Sequence, residues 1–220
     1  MKIDITISVL LVALAVCGTG TGAAAEKAPS TAHIAQQKLM EGNRRYIEAK
    51  SSHPDETMER RREVAIGQHP FASIVSCADS RVAPEIVFDQ GLGDIFAVRL
   101  AGNIVDDAVL ATLEYAVEHL GVKYIMVLGH EKCGAVEAAL KGGEAPGHLG
   151  SLVKAIQPAI DKVKGQPGDL LDNVVRANVA IVVQELSSST PILAELVKNG
   201  DLTIVGARYD LDDGTVEILI

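Results

Sequence analysis

Four short apolar segments alternate with helical patterns along this chain, and the alternation strongly limits the possible folds. The segments read "FASIVSC", "DIFAVRL", "KYIMVLGH" and "DLTIVGARYD", and each is rich in the β-branched or aromatic residues of buried strands. Helical patterns lie before, between and after the first three, and the last is followed by a turn and the short run "TVEILI". Strands that alternate with helices predict a mainly parallel central β-sheet covered by helices on both faces. We therefore predict an α/β fold with "TVEILI" as a C-terminal edge strand.

The helical patterns have recognisable ends. Ser30 or Thr31 can cap a first helix that runs to about residue 50, and a second, charged helix is predicted over about 55–66. Acidic starts, glycine stops and amphipathic spacing predict further helices over about 106–121, 134–143, 148–164 and 170–187.

The first 25 residues have the features of an export signal. Lys2 precedes the apolar run "ISVLLVALAV", and "AAA" before Glu26 provides small residues for cleavage. The run is too short to cross a bilayer comfortably, so no membrane span is predicted. A lipoprotein attached through Cys17 is the alternative, but Val16 before it is bulkier than that processing usually accepts. We expect residues 1–25 to be removed, the protein to be periplasmic or secreted, and residues 26–220 to form a single domain.

Charge and composition argue against a nucleic-acid partner. The sequence contains 29 acidic and 20 basic residues, which gives a net charge of -9. A phosphate backbone requires a concentrated positive surface, and stacking on bases requires aromatic side chains. The chain has no tryptophan and only 3% aromatic residues. We therefore expect no nucleic-acid binding.

The mature chain keeps two cysteines, and their positions suggest a metal site. Cys77 closes the first apolar segment, whereas His130 and Cys133 follow the third. Ligands of such sheets gather at the carboxyl ends of the strands, where these three side chains would meet. Two thiolates and an imidazole suit zinc, and three protein ligands leave an open position, as in catalytic sites. The alternative, favoured by an oxidising compartment, is a Cys77–Cys133 disulfide in a protein without enzymatic activity.

Asp79 and Arg81 lie next to the first of these cysteines, in "SCADSR". The carboxylate can face the same site, and the guanidinium can hold it through two parallel hydrogen bonds. A surface ion pair without a role is the alternative for any such pair taken alone.

The motifs taken together resemble the β-class carbonic anhydrases. "CADSR", with "HEKC" beginning 53 residues after its cysteine, is similar to the zinc signature of that family. "EGNRRY", "TLEYAVEHLGV" and "GHEKCGAV" extend the resemblance over nearly all of the chain after the signal. The resemblance implies a zinc-dependent, reversible hydration of carbon dioxide to bicarbonate and a proton. A related zinc hydrolase acting on CS2 or COS shares the same ligands and remains an alternative.

The resemblance also implies roles for individual residues. Cys77, His130 and Cys133 match the ligands of one zinc ion per chain, and Asp79 with Arg81 matches the catalytic pair. If Arg81 released it, Asp79 could become a fourth zinc ligand in an inactive state.

Four further positions are implied to bind the substrate. Gln68, Phe96 and Tyr115 match the substrate pocket of the plant-type branch, and Gly134 matches the glycine whose backbone lies beside the zinc-bound oxygen. Spacing alone favours core packing for Phe96 and Tyr115. In the family the pocket spans a dimer interface, which implies a homodimer or a dimer of dimers here. The helical arm at about 32–50 would embrace the partner.

Overall fold

The chain, described here by a computed structural model, folds around a five-stranded sheet with helices before, between and after the strands. The structure describes residues 30–143 and 146–220, so the predicted signal peptide and Cys17 lie outside it. The helices are α1 Thr31–Ile47, α2 Met58–Val64, α3 Pro84–Val87, α4 Asp107–His119, α5 Gly134–Lys141, α6 Leu149–Val163, α7 Leu170–Ser188 and α8 Ile192–Asn199. The strands are β1 Ala72–Ser76, β2 Ile95–Arg99, β3 Tyr124–His130, β4 Thr203–Tyr209 and β5 Val216–Ile218, and Ala101–Asn103 form a 3-10 turn after β2.

The strand order is β2-β1-β3-β4-β5. Strand β1 pairs in parallel with β2 and β3, and β3 pairs in parallel with β4. The last strand, β5, pairs antiparallel with β4 and lies at the edge of the sheet. The α/β fold with a mainly parallel sheet and a C-terminal edge strand is thereby confirmed.

Both faces of the central strands β1 and β3 are buried, which explains why these strands are almost continuously apolar. Successive side chains of a strand point to opposite faces. In β1, Val75 packs with Leu113 of α4 and Val179 of α7 in one apolar core. Its neighbour Ile74 packs with Leu39 of α1 in a second core on the other face.

Helix α1 corresponds to the predicted N-terminal arm. One of its faces docks on the chain's own sheet through Ala35, Leu39, Gly42 and Asn43, all of which are buried. A Cβ added at Gly42 would lie 1.7 Å from the carbonyl oxygen of Phe88, so this approach requires glycine. The opposite face is exposed, with 53% of Ile34 accessible to solvent. The described residues include no helix long and apolar enough to cross a membrane.

Candidate metal centre

The carboxyl ends of β1 and β3 bring together two thiols and an imidazole. Cys77 directly follows β1, His130 is the last residue of β3, and Cys133 is the residue from which α5 begins. The two strands are parallel neighbours, so their ends meet at the same edge of the sheet. The ligand atoms of Cys77, His130 and Cys133 all lie within 4.8 Å of one another, and all three residues are buried. We call these three residues the thiol–imidazole cluster.

The cluster offers the sulfur and nitrogen atoms of a metal site, and these atoms are free to bind a metal. Both cysteines are free thiols, so the structure does not support the predicted alternative of a disulfide. The Nδ1 atom of His130 lies 2.8 Å from the carbonyl oxygen of Glu131. A carbonyl oxygen only accepts, so Nδ1 carries the hydrogen and Nε2 presents a lone pair. This buried Nε2 has no hydrogen-bond partner among the described residues, as expected of an atom that ligates a metal.

The charges of the two thiols also point to a bound cation. A hydrogen bond from the Cys133 thiol, together with contacts to His130 and the Gly102 N–H, lowers the pKa of Cys77 well below the usual range. The same contact with Cys77, together with burial, raises the pKa of Cys133. Two buried thiols this close oppose each other's ionisation, and a bound divalent cation would favour the thiolate form of both. The residues fit zinc, which prefers two sulfur ligands and one imidazole in this kind of site.

Asp79 and Arg81 form a two-pronged ion pair beside the cluster. Arg81 Nε donates to Asp79 Oδ1 at 2.9 Å, and its Nη2 donates to Oδ2 at 2.7 Å. The Arg81 guanidinium, which outweighs the effect of burial, holds the pKa of Asp79 well below its usual range. Asp79 Oδ2 lies 3.8 Å from Nε2 of His130, so the carboxylate borders the cluster. A surface ion pair without a role would not be expected at this position.

Backbone contacts that the sequence analysis did not identify hold this loop and the sulfur of Cys77. Arg99, at the end of β2, donates to the carbonyl oxygens of Cys77 at 3.2 Å and Asp79 at 2.8 Å. The N–H of Gly102 donates to Cys77 Sγ at 3.2 Å, and Asn178 of α7 donates to the Gly102 carbonyl at 2.9 Å. Only two features of the sequence could have indicated these contacts: an arginine at the end of an apolar strand, and one amide within the apolar run of α7.

We call Gln68, Phe96 and Tyr115 the predicted pocket residues. Gln68 and Tyr115 are exposed, whereas Phe96 is half-buried and packs against the core that contains Val75, as its spacing favoured. Gln68 is exposed in the loop before β1, and Tyr115 of α4 is 47% exposed, so Tyr115 does not pack in the core as its spacing favoured. The rings of Phe96 and Tyr115 are 6.4 Å apart between centroids. Phe96 of β2 pairs with Ser73 of β1, which lies three residues before Ser76, the last residue of that strand. Phe96 is therefore about 10 Å along the strand from the end at which the cluster lies.

Gly134, the fourth predicted residue, adjoins the cluster and lines a cavity. It is the first residue of α5, directly after Cys133. The cavity has a volume of about 460 Å³ and is lined mainly by small and apolar side chains, including Ala101, Ala135, Leu149 and Val153. An apolar cavity beside the cluster suits a small, nonpolar substrate.

Comparison with known proteins agrees with the fold and with the cluster. Residues 72–216 match the family model described as "Carbonic anhydrase". The chain is 42% identical over 191 residues to "Carbonic anhydrase 2" of Mycobacterium tuberculosis, covering 84% of this chain and 92% of that protein. It is 41% identical over 197 residues to "Carbonic anhydrase" of Mycolicibacterium smegmatis, covering 86% of this chain and 95% of that protein.

Solved structures of β-class enzymes have the same fold. The β-carbonic anhydrase of Coccomyxa, solved with acetazolamide, aligns with a TM-score of 0.68 at 31% identity over 83% of this chain and 85% of that chain. A tetrameric β-carbonic anhydrase of Sordaria macrospora aligns with a TM-score of 0.66 at 25% identity over 84% of this chain and 96% of that chain. Both solved structures are β-carbonic anhydrases, and both share the α/β fold that places the cluster in this chain. The chain belongs to the β-class carbonic anhydrase family.

Proposed function

We propose that this protein catalyses the reversible hydration of carbon dioxide to bicarbonate and a proton, with one zinc ion held by the thiol–imidazole cluster. The observation that carries the proposal is the buried, unpartnered Nε2 of His130 within 4.8 Å of the ligand atoms of two free cysteines. When bound, zinc lowers the pKa of water and so supplies a nucleophile for carbon dioxide. The relatives named above are carbonic anhydrases, so we propose carbon dioxide as the substrate rather than CS2 or COS.

Asp79 acts as a hydrogen-bond acceptor that orients the nucleophile. Its lowered pKa keeps it ionised at neutral pH, and an ionised carboxylate accepts hydrogen bonds but donates none. Arg81 contacts both carboxylate oxygens and also donates to the Lys132 carbonyl at 3.3 Å, so it ties the carboxylate to the loop between His130 and Cys133. This arrangement fixes the direction in which Asp79 presents its free lone pairs.

Asp79 has a second role in this proposal. Its Oδ2 atom lies 3.8 Å from Nε2 of His130, close to the position that a metal ligand would take. While Arg81 holds both oxygens, Asp79 stays an acceptor beside the site. Release from Arg81 would let Asp79 become a fourth ligand, which would close the open position and inactivate the enzyme.

The substrate pocket is proposed to need a second subunit, as in the plant-type branch. In the single chain Gln68 is exposed and Tyr115 is 47% exposed, and the half-buried Phe96 lies 6.4 Å from Tyr115 between ring centroids. Exposed aromatic side chains are typical of protein interfaces. A homodimer, or a dimer of dimers, would bring these residues from one subunit to the cluster and the Gly134 cavity of the other. The tetrameric Sordaria structure supports oligomer formation in this family.

Export to the periplasm or secretion is proposed from residues 1–25 alone. Amino-terminal sequencing of the protein recovered from its native compartment should begin at Glu26. An intact Met1, or a lipid on Cys17, would contradict cleavage at that site.

The activity is tested on the chain that begins at Glu26. Carbon dioxide hydration is followed by stopped flow while zinc is measured in the same samples. We expect one zinc per chain, loss of activity when a chelator removes it, and recovery when zinc is returned. Full activity in metal-free protein with bridged cysteines would overturn the proposal.

A further inference from the structure

Helix α7 carries a buried amide in an otherwise apolar face. Eight of its residues are buried, and seven of them are valine, alanine or leucine. The eighth, Asn178, is only 2% exposed. A buried amide is unfavourable unless its hydrogen-bonding groups find partners, so Asn178 would not be expected here for packing alone.

The amide of Asn178 holds the 3-10 turn that follows β2. Its Nδ2 atom donates to the carbonyl oxygen of Gly102 at 2.9 Å. Gly102 has a φ of 71° and Asn103 a φ of 43°, so two successive residues adopt the left-handed region. Such a turn persists only where its surroundings hold it in place.

Packing around the turn leaves little room for a side chain at Gly102. A Cβ added at Gly102 would lie 3.0 Å from Cδ1 of Ile156 and 3.2 Å from Cβ of Ala135. The turn is therefore closely enclosed by α5 and α6, and its carbonyl group faces Asn178 on α7. Its conformation is fixed from three helices at once.

The 3-10 turn also contacts the thiol–imidazole cluster. The N–H of Gly102 donates to Cys77 Sγ at 3.2 Å. Hydrogen bonds to a ligating sulfur orient it and tune how strongly it donates to the metal. Two successive hydrogen bonds thus connect Asn178 to a sulfur that it does not touch.

We propose that Asn178 is a positioning residue of the metal centre, which acts through Gly102 on the sulfur of Cys77. Asn178 holds the Gly102 carbonyl, which keeps the glycine in its left-handed conformation. That conformation aims the Gly102 N–H at Cys77. The inference rests on the proposed zinc site and adds to it a residue of α7 that is 101 positions away from Cys77 in the sequence.

The test replaces the amide with an apolar side chain of similar size, Asn178→Leu. Zinc affinity is measured by competition with a chromophoric chelator, and cobalt is substituted to record the sulfur-to-cobalt charge-transfer absorption. We expect zinc to bind roughly 10 to 100 times more weakly, as is typical when a residue behind a metal ligand is lost. The charge-transfer band should also shift. Asn178→Ser, which is polar but too short to reach Gly102, should change both readouts in the same direction and serves if the leucine variant does not fold.

Asn43 provides a matched control. It is 3% exposed, and its Nδ2 atom donates to the carbonyl oxygens of Val87 and Gly214 at 3.1 Å and 2.9 Å, away from the cluster. Asn43→Leu should lower thermal stability at least as much, yet leave zinc affinity and the cobalt spectrum as in the wild type.

Three results would overturn the inference, and they are distinguishable. If the wild type binds zinc and Asn178→Leu binds it equally well with an unchanged cobalt spectrum, Asn178 has only a structural role. If the wild type binds neither metal, the proposed function fails together with the inference. An equal loss of affinity in Asn43→Leu would assign the effect to general destabilisation and would also contradict it.

Discussion

The thiol–imidazole cluster and the predicted pocket residues are organised in opposite ways. The cluster is buried and complete within one chain, because two neighbouring parallel strands end at the same edge of the sheet. The predicted pocket residues are exposed or half-buried, and they lie on the loop before β1, on the edge strand β2 and on α4. We therefore propose that one chain binds the metal by itself, whereas the substrate pocket needs a second chain. The central claim of our account is this division of the active site.

The largest effect is expected from removing a member of the cluster. His130→Ala, Cys77→Ser or Cys133→Ser leaves only two protein ligands, so zinc should be lost and activity should fall by more than about 100-fold. Metal analysis and stopped-flow assays measure both. His33→Ala, at an exposed position on α1, is the control and should keep zinc and rate. A histidine variant that retained zinc would show that His130 is not a ligand.

A smaller effect is expected at the ion pair beside the cluster. Arg81→Ala removes two hydrogen bonds that the Asp79 carboxylate accepts, and Asp79→Asn replaces the carboxylate with an amide. Neither change removes a metal ligand, so zinc should remain while turnover falls roughly 10 to 100-fold. Arg62→Ala is a control because its side chain is 72% exposed and pairs with Glu59 at 4.0 Å, a surface contact of little energetic value. Wild-type rates in both the Asp79 and the Arg81 variants would show that this pair is only a surface contact of the same kind.

The predicted pocket residues should affect association and rate without affecting the metal. Phe96→Ala together with Tyr115→Ala removes two large aromatic surfaces from the proposed interface, and such residues often dominate interface energies. We expect one zinc per chain, weaker association in sedimentation experiments and a clear loss of turnover. Leu170→Ala, at a surface position of α7 that is 47% exposed, provides a control for loss of exposed apolar surface. Unchanged association together with an unchanged rate would place these aromatic residues outside the pocket.

The smallest effect is expected at the salt bridge between the cluster's loop and the β4–β5 turn. Lys132 Nζ lies 2.9 Å from both carboxylate oxygens of Asp212, but the two side chains are 53% and 74% exposed. Lys132→Met should therefore cost about 1 kcal/mol of unfolding free energy or less. Arg81 uses only the Lys132 carbonyl, so turnover should stay near wild type. Urea denaturation and the hydration assay check both, and a large loss of turnover would show that the loop depends on this pair.

The sequence predicted the strands well because each is a continuous apolar run flanked by polar residues. It predicted α2 over 55–66, whereas the helix spans Met58–Val64. Asp55 has a φ of 56° and cannot continue a helix, and Ile66 is 93% exposed. Helix α8 was not predicted, because it has eight residues and only Leu193 is buried. Tertiary contacts rather than local patterns decide these ends.

The metal ligands were predictable, but their support was not. Cysteine and histidine at the ends of apolar segments are a local signal that chemistry alone can interpret. The hydrogen bond from Asn178 to Gly102 joins residues 76 positions apart, and nothing in either segment specifies the other. The location of the predicted pocket residues could not be predicted from the sequence either, because a tyrosine in an amphipathic helix fits a core as well as an interface.

Mixing two inactive variants tests the division of the active site most directly. Cys77→Ser lacks the metal but keeps the aromatic residues, and the Phe96→Ala/Tyr115→Ala double variant keeps the metal but lacks them. At concentrations high enough to offset the weaker association of the double variant, random re-pairing of equal amounts makes about half of the dimers mixed, each with one intact site of two, so about a quarter of wild-type activity should return. We predict that recovery, in proportion to the mixed dimers detected by mass spectrometry. Mixed dimers that form but remain as inactive as the separate variants would contradict a pocket shared between subunits.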